Sequence, residues 1–332
     1  MLNIPTTNRK KIIFLSCLAL IGLLTIVTGL ISCGHAEKET FVIGYINPNP
    51  EEKEGAQGFL RNMPKLGYIE GENVTYIKCE SKESERIDEA IKEMVAKKVD
   101  LIFAMTTPAA KKTIHFTKGT DIPVLLVLYD AISSGAAESL IRPGGNVTGI
   151  QLRGSTSKAL EWLLEFAPAA KHIFVPVCFD TGAAKQSLAD LQQSATKAGL
   201  RLTVSEVKSI EELNGSLASM PQDTNAIFML HSWLVGSNVN LVLNKAMERK
   251  IPVVSAGHVN FDDGLVMSYG PLDDRIGSQA AGLAHRILRG TPLADLPFET
   301  SGFYLGINLK TAKAAGVEPS NDTLQQADFI IR

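Results

Sequence analysis

Short hydrophobic runs alternate with amphipathic segments along most of the chain. Six runs are almost continuously apolar, which is typical of parallel strands buried on both faces. They are Phe41–Ile46, Leu101–Met105, Pro123–Leu128, Ile173–Phe179, Ala226–Leu230 and Ile251–Ser255. The runs predict the strands of an α/β protein.

Between these runs, apolar residues recur at helical spacing and give each segment one apolar face. The faces consist of Ile87, Ile91, Met94 and Val95; of Leu188, Leu191, Ala195 and Ala198; and of Ile276, Ala280, Leu283, Ala284, Ile287 and Leu288. Ser209 followed by Glu212 predicts a capping box at the start of another helix. Strands and helices in alternation predict an open, doubly wound parallel sheet with helices on both sides.

The densest turn-forming cluster after the first 40 residues is Arg142–Asn146, with the sequence RPGGN. A further strand, Val147–Leu152, follows it directly. The alternation continues on both sides of this cluster, so we expect two lobes of the same architecture. The glycines Gly67, Gly71, Gly144 and Gly145 are interpreted as turn residues and not as ligand contacts.

The first 32 residues have the pattern of an export signal. Arg9, Lys10 and Lys11 precede an uncharged apolar run from Ile12 to Ile31. The run ends in Leu30, Ile31, Ser32 and Cys33, which is similar to a bacterial lipobox. We therefore expect a signal peptide at 1–32, a lipid-modified Cys33 and a short linker at 33–40. The alternative is an uncleaved transmembrane anchor, because about 20 apolar residues can span a bilayer.

Composition narrows the function classes. The 332 residues carry a formal net charge of −2, which gives no electrostatic reason to expect nucleic acid. The chain has no nucleophile elbow, HExxH motif, paired CxxC or phosphate-binding lysine loop, so we expect no enzymatic activity and no cofactor or metal. Cys79 and Cys178 are predicted to lie in different lobes as two inert free thiols.

Several motifs resemble one family. They are LGYIEGENVT at 66–75, MTTPAA at 105–110, RPGGNVTG at 142–149, GLVMSYG at 264–270, AHRILRG at 284–290 and INLKTAKAA at 307–315. Together they are similar to the substrate-binding lipoproteins of ABC transporters of the tryptophan type, from about residue 41 to the end. The resemblance implies a type I periplasmic-binding fold with a hinge of three crossings, near residues 149, 269 and 299. The first lobe would be 40–149 plus 269–298, and the second 150–268 plus 299–332.

Ligands of open parallel sheets bind beyond the carboxyl ends of the strands. In the first lobe this places Asn47, Thr106, Thr107, Tyr129 and Asp130 in the candidate site. Thr106 and Thr107 precede Pro108 at a helix start, whose N–H groups suit a carboxylate. Asp130 is a candidate partner for a ligand ammonium. The alternative for these residues is ordinary helix capping.

In the second lobe the same rule selects Gln151, Asp180, His231, Trp233 and His258. Trp233 could stack on a ring, or it could simply pack at a helix start. The loop 231–233 departs from the family, which usually has an aspartate and an asparagine there, so the identity of the ligand stays open.

These observations predict an extracytoplasmic solute-binding lipoprotein of an ABC importer. It would bind an amino acid or a similar zwitterion between the lobes, act as a monomer, contact permease subunits and be held at the membrane by its lipid. The alternative is a ligand-sensing lipoprotein that signals to a receptor or a histidine kinase.

Overall fold

The computed structural model describes residues 40–48, 53–180, 182–257 and 264–332. The predicted signal peptide and Cys33 therefore lie outside the described residues, as does His258. Among the described helices, none is both long enough and apolar enough to cross a membrane.

The first sheet consists of six strands in the order β11, β5, β4, β3, β1, β2, all paired in parallel. Their bounds are Phe41–Ile46 for β1, Val74–Cys79 for β2, Leu101–Met105 for β3, Val124–Leu128 for β4, Val147–Gln151 for β5 and Glu299–Thr300 for β11. The predicted strands Phe41–Ile46 and Leu101–Met105 are confirmed to the residue. Their central positions are fully buried, as expected for strands that are covered on both faces.

The second sheet consists of seven strands in the order β13, β12, β10, β9, β8, β6, β7. Their bounds are His172–Val177 for β6, Arg201–Glu206 for β7, Ala226–Met229 for β8, Val253–Ser255 for β9, Met267–Gly270 for β10, Tyr304–Asn308 for β12 and Phe329–Ile331 for β13. The pair β10 and β12 is antiparallel, and the other pairs are parallel. The α/β fold with two parallel-dominated sheets is thus confirmed, with one antiparallel pair that the sequence pattern did not indicate.

Helices connect the strands. Their bounds are Lys53–Asn62 for α1, Ser84–Ala96 for α2, Thr107–Thr117 for α3, Ser155–Phe166 for α4, Gly182–Lys197 for α5, Ile210–Ala218 for α6, Trp233–Ser237 for α7, Val239–Arg249 for α8, Asp273–Leu288 for α9, Leu309–Ala314 for α10 and Asn321–Gln326 for α11. The three predicted apolar faces lie on α2, α5 and α9, and they contribute buried residues to the cores. Ala198 is the exception, because α5 ends at Lys197 and Ala198 is exposed in the turn that follows.

The chain passes between the two sheets after β5, after β10 and after β11. The crossings expected near residues 149, 269 and 299 fall inside these three strands, because each strand keeps its pairing for one or more residues before the chain leaves the sheet. The division into lobes at those residues stays a prediction. After the second crossing, α9 packs its apolar face on the first core, next to Phe59 on α1 and Phe103 on β3.

Three local features that the sequence predicts can be compared with the structure: the turn glycines, the free cysteines and the capping box. All four turn glycines have positive φ, including the adjacent pair Gly144 at 82° and Gly145 at 62°, where a side chain would be strained. Cys79 and Cys178 are free; Cys79 ends β2 of the first sheet, and Cys178 follows β6 of the second. Ser209 accepts a hydrogen bond from the Glu212 N–H, as predicted, but the Glu212 carboxylate accepts from the N–H of Lys208 and not from that of Ser209.

The helices α1 and α9 meet backbone to backbone at two glycines. A methyl carbon on Gly277 would lie 2.5 Å from the Cα of Gly58, and one on Gly58 would lie 3.2 Å from the Cα of Gly277. Backbone atoms cannot move aside as a flexible side chain can. The approach of α9 to α1 therefore requires glycine at this crossing point.

We predict that Gly277→Ala lowers the free energy of unfolding by about 2 to 3 kcal/mol, since the added methyl forces the two helices apart. Gly282→Ala on the same helix is the control, because its methyl would meet no atom within 4 Å. That variant should gain about 0.5 to 1 kcal/mol from helix propensity. Urea unfolding followed by circular dichroism measures both, and equal effects of the two changes would contradict the close approach.

Candidate ligand-binding site

The carboxyl ends of β1 and β3 place three of the predicted residues. Asn47 is buried, and its N–H donates to the Cys79 carbonyl at 2.9 Å. Thr106 stands between β3 and α3 with φ of 76°, an unusual conformation for a β-branched residue. Its hydroxyl is buried and has no hydrogen-bond partner among the residues that the structure describes. Thr107 is half-buried and begins α3.

Tyr129 follows β4 and reaches the second sheet. Its ring packs edge to face on the ring of His231, which follows β8, with 4.8 Å between ring centroids. Burial raises the pKa of Tyr129 to about 12, although the nearby Thr156 hydroxyl partly opposes this effect. The phenol therefore stays protonated at neutral pH and can donate a hydrogen bond.

Asp130 is 4% exposed and its carboxylate is held on both oxygens. Oδ1 accepts hydrogen bonds from the N–H groups of Ile132 and Ser133, each at 3.0 Å. Oδ2 accepts from Nη1 of Arg153 at 2.5 Å. Burial acts to raise the pKa of Asp130, but the hydrogen bonds from Ser133 and Arg153 outweigh it, so the pKa lies below its ordinary value.

Arg153, which the sequence reasoning missed, connects the two halves of the site. It lies in the first crossing and forms a two-pronged ion pair with Asp190 on α5, with its Nη2 2.6 Å from Oδ1 and its Nε 3.0 Å from Oδ2. Hydrogen bonds to Asp190, and secondarily to Asp130, raise the pKa of Arg153. We call Asp130, Arg153 and Asp190 the ion triad. A basic residue directly after a crossing strand was the available signal for it.

His231 and Ser155 lie at the carboxyl ends of the second sheet. The Ser155 hydroxyl donates to the Ala256 carbonyl at 2.6 Å, and its oxygen is 3.4 Å from Nε2 of His231. Because the hydroxyl has one proton and gives it to Ala256, we infer that Nε2 of His231 carries a hydrogen and donates to Ser155. Ser155 thus orients the imidazole that faces Tyr129.

The remaining predicted residues have structural partners. Asp180 accepts from the N–H groups of Leu234 at 2.8 Å and Trp233 at 3.4 Å, so it caps α7. Gln151, which the sequence placed in the second lobe, is the last residue of β5 in the first sheet, and its amide donates to the Thr300 hydroxyl of β11 at 3.2 Å. Trp233 is 43% exposed, and Nζ of Lys82 lies 5.1 Å from its ring centroid.

The structure therefore brings Tyr129, Asp130 and His231 together with Ser155 and with the unpredicted Arg153 and Thr156. Lys82 follows β2 of the first sheet, whereas Trp233 follows β8 of the second sheet. The contact between the Lys82 ammonium and the Trp233 ring therefore also connects the two halves of the site. Within the described ranges, no group of three or more His, Cys, Asp or Glu side chains could hold a metal ion. Contact of the predicted residues with a ligand stays a prediction.

A family model and a curated relative both match this chain over most of its length, and both describe binding proteins. The family model described as ABC transporter substrate binding protein matches residues 43–331. A tyrosine-binding protein of Clostridioides difficile strain R20291 is 26% identical over 260 residues, which are 78% of this chain and 75% of that protein.

Two solved structures share the fold. An ABC domain from Streptococcus pneumonia in complex with L-Trp superimposes with a TM-score of 0.77 at 23% identity, covering 88% of this chain and 100% of that one. The ligand-free, open structure of a substrate-binding protein with adhesive properties from Clostridium difficile gives a TM-score of 0.72 at 26% identity, covering 88% and 99%.

We predict that Asp130→Asn lowers stability at neutral pH and flattens its acid dependence. Asparagine keeps an oxygen for Ile132 and Ser133 but loses the charge that pairs with Arg153, at a cost of about 1 to 3 kcal/mol. In the wild type this contribution is complete above the unfolded-state pKa of about 3.9, and it is lost as the pH falls through the lower pKa of the folded state. The difference between wild type and variant should therefore shrink in acid.

Urea unfolding from pH 7 to pH 2 measures this effect. Asp88→Asn is the matched control, because Asp88 pairs with Lys112 at the same 2.5 Å distance but is 31% exposed. That variant should lose less than about 1 kcal/mol. An Asp130→Asn protein with the pH dependence of the wild type would contradict the role given to the ion triad.

Proposed function

Because the chain belongs to the family of ABC transporter substrate-binding proteins, we propose that it is an extracytoplasmic solute-binding lipoprotein of an ABC importer. The family match over residues 43–331 carries this proposal. The gathering of polar side chains where the strand ends of both sheets meet supports it further, because ligands of parallel sheets bind at such ends. The role is to bind and present a solute, so no catalysis is proposed.

The proposed ligand is an amino acid with an aromatic side chain. The matched relatives are a tyrosine-binding protein and a domain in complex with L-Trp. In this chain the rings of Tyr129, His231 and Trp233 offer faces and edges for an indole or a phenol. Donors for the carboxylate and acidic groups for the ammonium lie at the same strand ends, which suits a zwitterion.

The solute would lie between two lobes, 40–149 plus 269–298 and 150–268 plus 299–332, that close around it. Contacts between the two sets of strand ends support closure: Tyr129 meets His231, and Lys82 meets Trp233. A ligand between them would be buried on both sides, and hinge closure is the usual way to achieve this.

The proposed location is the outer face of a bacterial membrane. The basic residues and apolar run before Cys33 support export and lipid attachment at that cysteine, with 33–40 as the linker. Partners would then be the solute, the permease subunits of the importer and the lipid bilayer. We propose that the protein acts as a monomer.

We predict that the purified protein binds L-tryptophan or L-tyrosine and contracts on binding. Titration calorimetry measures the affinity, with the D-enantiomers as matched controls that have the same composition but the wrong arrangement of ammonium and carboxylate. Small-angle scattering should show a smaller radius of gyration at saturation. Absence of binding for both L-amino acids would refute the aromatic ligand, and binding without contraction would refute hinge closure.

We predict that Cys33→Ser abolishes lipid attachment and leaves the folded body unchanged, because the thiol is the acylated atom and the described fold begins at residue 40. Labelling of cells with radioactive palmitate measures the modification. Cys178→Ser is the control and should keep the label. Undiminished labelling of the Cys33→Ser protein would exclude this anchor.

A further inference from the structure

Two hydroxyl groups at the meeting point of the sheets are buried without hydrogen bonds. Thr156 is 1% exposed and Tyr129 is 5% exposed. Neither Oγ1 of Thr156 nor the Tyr129 hydroxyl has a hydrogen-bond partner within the described part of the chain. The two hydroxyls are neighbours, since Thr156 acts to lower the pKa of Tyr129, but the distance and angles between them do not meet the criteria for a hydrogen bond. Buried hydroxyls normally have partners, so the lack of a partner for these two requires an explanation.

Thr156 lies in the first turn of α4, and no side chain of the described residues caps the start of this helix. The residue before the helix, Gly154, has no side chain with which to cap it, and its φ of 139° favours glycine. A helix start without a capping side chain leaves N–H groups that favour an anion. Ser155 fixes this end of α4 to the second sheet through its hydrogen bond to Ala256.

The polar groups at the start of α4 and the neighbouring Tyr129 hydroxyl are hydrogen-bond donors. The Tyr129 phenol is protonated at neutral pH, the Thr156 hydroxyl can donate, and the first N–H groups of α4 are directed out of the helix. Such a set is complementary to a carboxylate. The ion triad nearby holds two carboxylates and one guanidinium. Its net negative charge would favour the ammonium of the same zwitterion.

We propose that the carboxylate of the bound amino acid lies at the start of α4, where the hydroxyls of Tyr129 and Thr156 donate to it. This inference rests on the proposed function and specifies how the ligand is held. It differs from the placement at Thr106 and Thr107 that the sequence indicates. Tyr129 follows β4 of the first sheet, whereas Thr156 lies on α4, which Ser155 fixes to the second sheet. The carboxylate would therefore be bound fully only when the two halves of the site are together.

The first test uses the ligand-free protein. Thr156→Val replaces an unpartnered buried hydroxyl by a methyl of similar size, so the melting temperature should rise by about 2 °C. Thr224→Val is the matched control, because the Thr224 hydroxyl is also buried and unpartnered among the described residues. Thr224 lies just before β8, at the end of that strand opposite to His231, so its change should stabilise without affecting binding.

The second test compares ligands that differ by one charged group. Thr156→Val and Tyr129→Phe should each weaken L-tryptophan binding about 10-fold, which corresponds to about 1.4 kcal/mol. The same variants should bind tryptamine, which lacks the carboxylate, as tightly as the wild type does. For indole-3-propionate, which lacks the ammonium, the loss should persist. Thr106→Val tests the alternative position of the carboxylate, at the start of α3.

The outcomes separate the inference from the proposed function. If Thr106→Val loses affinity only for ligands with a carboxylate while Thr156→Val does not, the carboxylate lies at α3 and the inference is overturned. If the wild type binds none of the indole ligands, the aromatic ligand class fails, and the first test still decides: a lower melting temperature of Thr156→Val would show that its hydroxyl is satisfied within the protein.

Discussion

The ion triad of Asp130, Arg153 and Asp190 is the interaction on which the candidate site depends. A carboxylate as buried as that of Asp130 is tolerated only when it is paired and hydrogen-bonded. Here the partner comes from the first crossing and is held in turn by a helix of the second half. Tyr129 directly precedes Asp130, and Thr156 lies at the start of α4, three residues after Arg153. The geometry of the ion triad therefore sets the distance between the Tyr129 hydroxyl and the start of α4.

The interleaved chain path adds a second constraint. Helix α9 leaves the second sheet after β10 and completes the core of the first, where its residues pack with Tyr45, Phe59 and Phe103. Its close contact with α1 at Gly58 and Gly277 fixes how it lies there. Neither core is made from one continuous segment, and the crossings that join them run directly beside the site. A change in the relative position of the two halves therefore acts on the crossings and on the triad together.

Among the interior strands, β10 and β12 were missed, but the others were predictable because they are buried on both faces and are nearly uniform in hydrophobicity. The edge strands were not, and the physical reason is visible in their residues. Strand β2 has the exposed polar residues Thr75 and Lys78 in its interior, and β7 is exposed at both ends, Arg201 and Glu206. The antiparallel pairing of β10 with β12 depends on the path of the chain through the second and third crossings. The local spacing of apolar residues carries no information about that path. For the site, strand ends indicated Tyr129, Asp130 and His231, whereas Arg153 and Thr156 acquire their roles only from neighbours distant in sequence.

The hydrogen-bond partners divide the candidate residues by what they can offer a solute. Asp180 and Gln151 use their polar atoms on a helix start and a neighbouring strand, so their contribution is to hold the framework. The hydroxyls of Tyr129 and Thr156 make no such bonds with the described residues, although burial makes the lack of a partner costly. Tyr129 and Thr156 also lie where the two halves of the site meet, so a solute bound there would satisfy their hydroxyls. Thr106 at the start of α3 also has a buried hydroxyl without a partner among the described residues, so unsatisfied donors indicate two places for a carboxylate, and only the place at α4 has donors from both halves of the site.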